Sequence, residues 1–176
     1  NGMAVWFENS SLWRSDGTDA GTFQLKTGFT QADQVYSGVL RDLPEFVREF
    51  KGDFFFVNGH RTQLWRSDGT SSGTILMKTS SSNDIRILES TDDYLFFVAS
   101  DASTAQELYR TDGTMSGTTF VKDINPGTAN GFSGSAAVVA NELYFAANDG
   151  THGREPWKTN GTSAETVMIR DINPGS

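Results

Sequence analysis

LWRSDGTDAGT at residues 12–22 is the first of four near-copies of one phrase, and this repetition decides the fold class. The other copies read LWRSDGTSSGT at 64–74, LYRTDGTMSGT at 108–118 and PWKTNGTSAET at 156–166. One aromatic position is shared by all four, at intervals of 52, 44 and 48 residues: Trp13, Trp65, Tyr109 and Trp157. A repeat of this length is one small supersecondary unit that buries its faces only by stacking on its neighbours.

Short strands are predicted around each phrase, and the second copy shows them most clearly. Residues 45–50 alternate apolar and polar side chains, and 54–57 (FFFV) are continuously apolar. Alternation predicts a half-buried strand, and a short apolar run predicts a strand covered on both faces. Further strands are predicted at 63–67 and 74–78; at 85–88, 94–99, 107–111 and 118–122; and at 136–140, 142–147, 155–159 and 166–170. The first copy has only three, at 3–8, 12–15 and 22–26.

Four short antiparallel strands in every 44–52 residues are typical of a β-propeller blade. The sequence therefore predicts an all-β chain of four four-stranded blades, the first of which lacks its inner strand. Their approximate bounds are 1–28, 29–80, 81–127 and 128–176. The small side chains at 135–140 suit a crowded innermost strand. Both ends of the chain fall at the same point of the repeat, so we expect 1–176 to be one propeller or part of one, completed by adjacent repeats or by self-association.

Net charge, the length of apolar runs and cysteine content exclude several classes of partner and site. The net charge of −8 argues against nucleic-acid binding and against docking on anionic lipid, because both need a basic surface. No apolar run approaches the ~20 residues that span a bilayer, so no membrane insertion is expected. Cysteine is absent, which excludes disulfides and thiolate metal sites.

The repeated residues are assigned a structural role. An aromatic at the same place in every copy is what packing between blades requires, although such rings also suit stacking on sugars. An Asp or Asn three positions later suits a turn in which its side chain accepts backbone N–H groups. The structural set is Trp13, Asp16, Trp65, Asp68, Tyr109, Asp112, Trp157 and Asn160. These turns lack the dense oxygen ligands of an EF-hand, so we expect no cofactor, with calcium kept as the alternative.

A ligand site is best placed in the polar hairpin loop 148–153, with Asn148, Asp149 and His152 as its candidate residues. The basic residues that follow the motif aromatics are assigned to ion pairs and aromatic faces rather than to an anion-binding track: Arg14, Arg66, Arg110 and Lys158. The chain has two histidines, His60 and His152, and no GxSxG, HExxH or glycine-rich phosphate motif. We therefore expect no enzyme activity.

QLWRSDGT at 63–70, ELYRTDGT at 107–114 and EPWKTNGT at 155–162 resemble the bacterial repeat family named for its ELWxxDGT phrase. VKDINPG at 121–127 and IRDINPG at 169–175 match the tail that often follows it. The resemblance covers essentially the whole chain. It implies propeller blades and a large protein that is secreted or exposed on the bacterial surface, and it defines no catalytic residues.

The chain departs from this family pattern in three places. The first two copies lack the DINPG tail, and Asn160 replaces the motif Asp. Pro156 replaces Leu inside a predicted strand, which predicts an edge position or a bulge.

The sequence thus predicts a non-catalytic extracellular scaffold or adhesion module whose partner is a protein or a surface polysaccharide. One alternative is a lectin-like propeller with one glycan site per blade. A lectin with one site per blade would repeat its loop residues as well as the motif. The loop residues 80–83 differ in kind from residues 128–131, which argues against this alternative. A second alternative is the propeller portion of a secreted hydrolase or lyase.

Overall fold

The computed structural model describes residues 3–29, 47–58, 60–82 and 84–175, and the regular elements in these ranges are all β-strands. No helix in the described part of the chain is long and apolar enough to cross a membrane. The first eight strands are β1 Ala4–Glu8, β2 Ser11–Ser15, β3 Phe23–Thr27, β4 Val47–Phe50, β5 Asp53–Asn58, β6 Gln63–Ser67, β7 Ile75–Thr79 and β8 Arg86–Ser90. The others are β9 Leu95–Ala99, β10 Glu107–Thr111, β11 Thr119–Lys122, β12 Phe132–Val139, β13 Glu142–Asn148, β14 Arg154–Thr159 and β15 Val167–Met168.

The strands form four antiparallel sheets in which each strand pairs with the next along the chain. Sheet 1 is β1-β2-β3, sheet 2 is β4-β5-β6-β7, sheet 3 is β8-β9-β10-β11 and sheet 4 is β12-β13-β14-β15. This confirms the all-β prediction and the division into one three-stranded and three four-stranded sheets. Positions 45 and 46 of the predicted first strand of sheet 2 lie outside the described residues.

Two compact units divide the chain, Asn1–Thr79 with sheets 1 and 2 and Ser80–Ser176 with sheets 3 and 4. In the first unit, one face of sheet 1 is buried against the aromatic face of sheet 2. Phe7 and Phe29 contact Phe56 edge to face, with ring centroids 5.7 and 6.1 Å apart. Val5, Leu12 and Leu25 complete this core.

The second unit repeats the arrangement. The face of sheet 3 that carries Phe96, Leu108 and Val121 shares one core with Phe145 and Trp157 of sheet 4. Alternate side chains of a strand point to opposite faces. Each sheet therefore has one face rich in aliphatic side chains, which packs on the following sheet of its unit in sheets 1 and 3, and an aromatic pair on the other face. The strand β9 is buried along its whole length, which fits its continuously apolar sequence.

The strand with small side chains is not crowded. It runs over Phe132–Val139 rather than 136–140, and it is an edge strand of sheet 4. Ser135 and Ala137 are exposed, and Val139 is 59% exposed. The expectation of tight packing at 135–140 is therefore wrong in the described chain. Small side chains allow a neighbouring element to approach closely, but they do not ensure that such an element is present.

Pro156 is not at an edge, since β14 lies between β13 and β15. In each of the other three sheets, the register of the last strand pair shifts just before the motif aromatic: between Leu12 and Trp13, Leu64 and Trp65, and Leu108 and Tyr109. Pro156 occupies the equivalent position in sheet 4. Leu12 pairs there with Lys26, whereas proline has no N–H to donate. Only the Ile169 N–H reaches the Pro156 carbonyl, at 2.8 Å, so β15 spans two residues instead of the predicted 166–170.

Candidate functional site

The motif aromatics are paired across strands. Trp13 lies opposite Trp6, Trp65 opposite Phe56, Tyr109 opposite Phe97 and Trp157 opposite Phe145. In the first three pairs the rings stack, with centroids 6.5, 6.4 and 5.5 Å apart. Tyr109 and Trp157 are 3% and 7% exposed, and Trp13 and Trp65 are half-buried. An aromatic in the preceding strand of every copy was the sequence signal for this pairing.

The motif turn uses its own polar atoms. Asp68 Oδ1 accepts the Thr70 N–H at 2.8 Å and the Thr70 hydroxyl at 2.7 Å. Thr70 Oγ1 accepts the Gly73 N–H at 2.9 Å, and the Thr74 hydroxyl donates to the Thr70 carbonyl at 2.7 Å. The Thr70 hydroxyl holds the pKa of Asp68 below its usual value, against the effect of burial. The same bonds centre on Asp16, Asp112 and Asn160 in the other copies.

Gly73 lets the Asp68 carboxylate lie directly against the backbone of this turn, and its φ is not in the left-handed region. A Cβ on Gly73 would overlap the Asp68 carboxylate. In the fourth copy Glu165 takes this position, Asn160 replaces the Asp, and the Glu165 N–H to Thr162 Oγ1 distance lengthens to 3.3 Å. Replacing the carboxylate with an amide avoids two negative charges in one turn.

Gly73→Ala is expected to lower the free energy of unfolding by about 1–2 kcal/mol, because the Asp68 carboxylate must shift to make room for the Cβ and the hydrogen bonds of the turn weaken. Chemical denaturation measures the loss. In the Asp68→Ala background the same substitution is expected to cost much less, since the clash is gone. Equal costs in the two backgrounds would contradict the steric explanation.

Two buried glutamates hold the DINPG segments, and neither was predicted from the sequence. Glu107 accepts the Ile124 N–H at 3.1 Å and the Asn125 N–H at 3.4 Å. Glu155 accepts the Ile172 and Asn173 N–H groups at 2.8 and 3.2 Å. The signal was a covariation within the chain: the copies with the tail carry Glu two residues before the motif aromatic, and the others carry Ser11 and Gln63.

Burial raises the pKa of Glu107 to about 7, although the Ile124 and Asn125 N–H groups act to lower it. The nearby Asp123 carboxylate adds to the rise. A buried charge is costly even when it is hydrogen-bonded, so ionisation of Glu107 is expected to make the folding stability of its unit depend on pH.

The predicted ligand residues lie together in the loop between β13 and β14. Asp149 Oδ1 accepts the Thr151 and His152 N–H groups at 2.9 and 2.8 Å, and its Oδ2 lies 2.7 Å from His152 Nδ1. Asn148 Oδ1 accepts the Gly150 N–H at 2.7 Å. Burial acts to raise the pKa of Asp149, but the bonds from His152 prevail and lower it to about 2. The bond to Asp149 raises the pKa of His152, so this imidazole keeps its proton to higher pH.

The matching loop of sheet 3 takes the same form. Asp101 stands eight residues before Tyr109, as Asp149 does before Trp157. Asp101 Oδ1 accepts the Ser103 and Thr104 N–H groups at 2.8 and 3.0 Å. Its Oδ2 accepts the Tyr109 hydroxyl at 3.2 Å. Burial first, and this carboxylate second, raise the pKa of Tyr109 to about 12.

These loops join into one surface at one end of sheets 3 and 4. The Gln106 N–H donates to Asn130 Oδ1 at 3.1 Å, and Asn125 Nδ2 donates to the Asn130 carbonyl at 3.4 Å. A Cβ on Gly150 would lie 2.7 Å from Asn125 Oδ1, so the next loop is close by. We call residues 100–106, 123–131 and 148–153 the polar loop surface. The motif turns lie at the opposite end of these sheets, because they follow the third strand whereas the loops 100–106 and 148–153 precede it.

The basic residues after the motif aromatics make the predicted contacts. Arg66 pairs with Asp53 at 2.6 Å, and Lys158 pairs with Glu142 at 3.0 Å. Arg110 lies over the Tyr94 ring, 4.0 Å from its centroid, and Arg14 lies 5.0 Å from the centroid of Phe23. An anion-binding track along these residues has no support from this geometry.

Among the described residues, no three His, Cys, Asp or Glu side chains are grouped so as to hold a metal ion. Models of known protein families and curated proteins give no match to this chain.

Proposed function

We propose that the chain is a non-catalytic interaction scaffold of the ELWxxDGT type, secreted or exposed on the bacterial surface, with its four sheets as propeller blades. The observation that supports this most directly is the motif turn. Its four copies use the same side-chain oxygens to satisfy the backbone of the turn itself. The repeated residues therefore build sheets, and recognition is left to residues that differ between copies.

The binding surface in this proposal is the polar loop surface, and its partner is a protein or a surface polysaccharide. Several of its residues are exposed, among them Pro126, Thr128 and Asn130. Short loops held by Asx turns present their remaining polar groups with little entropy to lose on binding. The Asp149–His152 pair contributes a side-chain contact whose charge depends on pH.

A glycan-binding function is the second candidate, supported by the equivalent Asp101 and Asp149 loops of sheets 3 and 4. An array of simple and polymeric glycans separates the two. The scaffold proposal expects no simple sugar to bind with one site per sheet. Such binding, reduced by Asp101→Ala and Asp149→Ala but not by the exposed substitution Met115→Ala, would favour the glycan binder.

Catalysis is tested in the same series. The chain is incubated with the polysaccharides that it binds, and new reducing ends and unsaturated products are measured. No release above the rate of buffer alone is expected. Release that is lost in an Asp149→Asn variant would replace the scaffold proposal with a hydrolase or lyase.

A further inference from the structure

Sheet 4 carries aliphatic residues equivalent to those with which sheet 3 packs on sheet 4, but in sheet 4 they are exposed. Ile169 and Ile172 follow Trp157 by 12 and 15 residues, as Val121 and Ile124 follow Tyr109. Val121 and Ile124 are 5% and 3% exposed, since the aromatic face of sheet 4 covers them. Ile169 and Ile172 are 48% and 67% exposed. Large aliphatic side chains at a position built for burial point to a partner surface.

The residues that a partner surface must present are inferred from contacts that occur in both units. In the second unit, Lys122 Nζ lies 5.9 Å from the Trp157 ring centroid and donates to the Thr166 carbonyl at 2.8 Å. In the first unit, Lys26 Nζ lies 5.3 Å from the Trp65 ring centroid. In both units, the lysine that directly follows a buried aliphatic residue, Leu25 or Val121, thus reaches the motif tryptophan of the next sheet.

A second cation contact also recurs. Arg14 Nη1 donates to the Gly69 carbonyl at 3.1 Å, in the motif turn of the next sheet. Arg110 Nη1 lies 3.1 Å from the position of a Cβ on Gly161, the matching glycine of sheet 4. Within each unit, the contact between its two sheets therefore has three parts: aliphatic side chains under an aromatic pair, a cation on the motif tryptophan, and a cation beside the turn glycine.

Sheet 4 offers the first half of this contact. Arg170 is exposed at the position of Lys26 and Lys122, next to Ile169. Lys158 is at the position of Arg14 and Arg110. Sheet 4 thus presents aliphatic side chains and both cations on one face.

Sheet 1 offers the second half. Val5, Phe7 and Leu12 face sheet 2, so the stacked Trp6 and Trp13 point to the other side, where both are half-buried. Gly17 corresponds to Gly69 and Gly161, and no atom outside Gly17 and its two chain neighbours lies within 4 Å of the position that its Cβ would take. The turn is open to an incoming cation.

We propose that the exposed face of sheet 4, formed by Ile169, Arg170 and Ile172, binds the Trp6–Trp13 face of a second copy of this chain. Ile169 and Ile172 pack under the two tryptophans, Arg170 lies on Trp13, and Lys158 reaches the turn at Gly17. The two surfaces differ, so the association is head-to-tail and heterologous, and copies add one after another. The contact needs only the sheets as they stand, whether or not the chain also binds a glycan.

The test uses one variant blocked at each surface. Ile169→Lys with Ile172→Lys blocks the sheet 4 face by placing charges beside Arg170. Ala4→Lys with Trp6→Lys blocks the sheet 1 face, and Ala4→Lys alone serves where the double variant is less stable, because Ala4 is exposed. Met115→Lys is the control, since it also replaces an exposed apolar side chain, 58% exposed, but lies on a motif turn. Far-UV circular dichroism and thermal melts establish that each variant is folded.

Analytical ultracentrifugation over a roughly hundredfold concentration range is the readout. The wild type and Met115→Lys are expected to gain mass with concentration, and each blocked variant is expected to stay a single chain. An equimolar mixture of the two blocked variants is expected to form a two-chain complex and nothing larger, because each supplies one intact surface. A wild type that stays monomeric overturns the proposal. Association of either blocked variant by itself also overturns it, since a symmetric contact or another surface would then be responsible.

Discussion

Trp157→Ala is expected to lower the free energy of unfolding by about 3–5 kcal/mol, the range for removing a large aromatic from a core. Trp157 is 7% exposed and shares its core with Phe96, Leu108 and Phe132. The surrounding strands are held in register by ladders on both sides, so the space that the indole leaves cannot close easily. Chemical denaturation of the full chain, followed by far-UV circular dichroism, measures the change.

Trp13→Ala is the matched control, because it removes the same ring at the same motif position from a half-buried site. Its expected cost is about 1–2 kcal/mol, since less apolar area is lost. The alternative in which motif aromatics stack on sugars predicts the reverse pattern: a small stability change for Trp157→Ala with a large loss of glycan binding. That result would contradict a packing role for the motif aromatic in sheet 4.

Glu107→Gln is expected to remove most of a pH dependence of about 3 kcal/mol, because each tenfold difference in proton affinity between the folded and unfolded chain is worth about 1.4 kcal/mol. The pKa of Glu107 is raised from 4.5 to about 7 in the folded chain. Between these values the folded chain binds the proton more tightly than the unfolded chain does. The contribution to stability is therefore complete below pH 4.5 and is lost as the pH rises through 7.

The measurement compares unfolding free energies of the wild type and Glu107→Gln from about pH 4 to about pH 8, a range that brackets both pKa values. At the acidic end both side chains are neutral, and the variant is expected to be less stable by a fixed amount, because a glutamine Nε2 cannot accept the backbone N–H that one oxygen of Glu107 accepts. Toward the alkaline end the wild type is expected to fall relative to the variant. Glu49→Gln is the control, since it removes one negative charge at an exposed position. A constant difference between wild type and Glu107→Gln would show that this carboxylate ionises as readily in the folded chain as in the unfolded one.

Strand positions were predictable because their signals are local. The apolar run at 54–57 and the motif strand at 107–111 are each recognised from neighbouring residues, and both lie in observed strands. The hydrogen bonds of Glu107 were harder to predict, because Ile124 lies 17 residues away in the sequence. Only the co-occurrence of this glutamate with the DINPG tail, compared across the four copies, pointed to the contact.

The candidate site was predicted in part. The loop with Asn148, Asp149 and His152 was identified from its polar composition, and the structure places these residues in one loop. The equivalent Asp101 loop was missed, because Asp101-Ala102-Ser103-Thr104 shares little with the fourth copy beyond the aspartate. Both loops converge on one geometry because a carboxylate that accepts two backbone N–H groups tolerates many residues around it.

By itself, the sequence determined the order of the strands and most of their positions, their grouping into sheets of three and four, and the turn chemistry of the motif. These depend on side-chain alternation and on bonds between residues two to four positions apart. Only the tertiary structure decided which equivalent residues are buried. Val121 and Ile169 hold the same place in their copies, but the first is covered and the second is exposed. Burial depends on whether another sheet lies against the face, and a pattern that repeats identically along the chain carries no information about that.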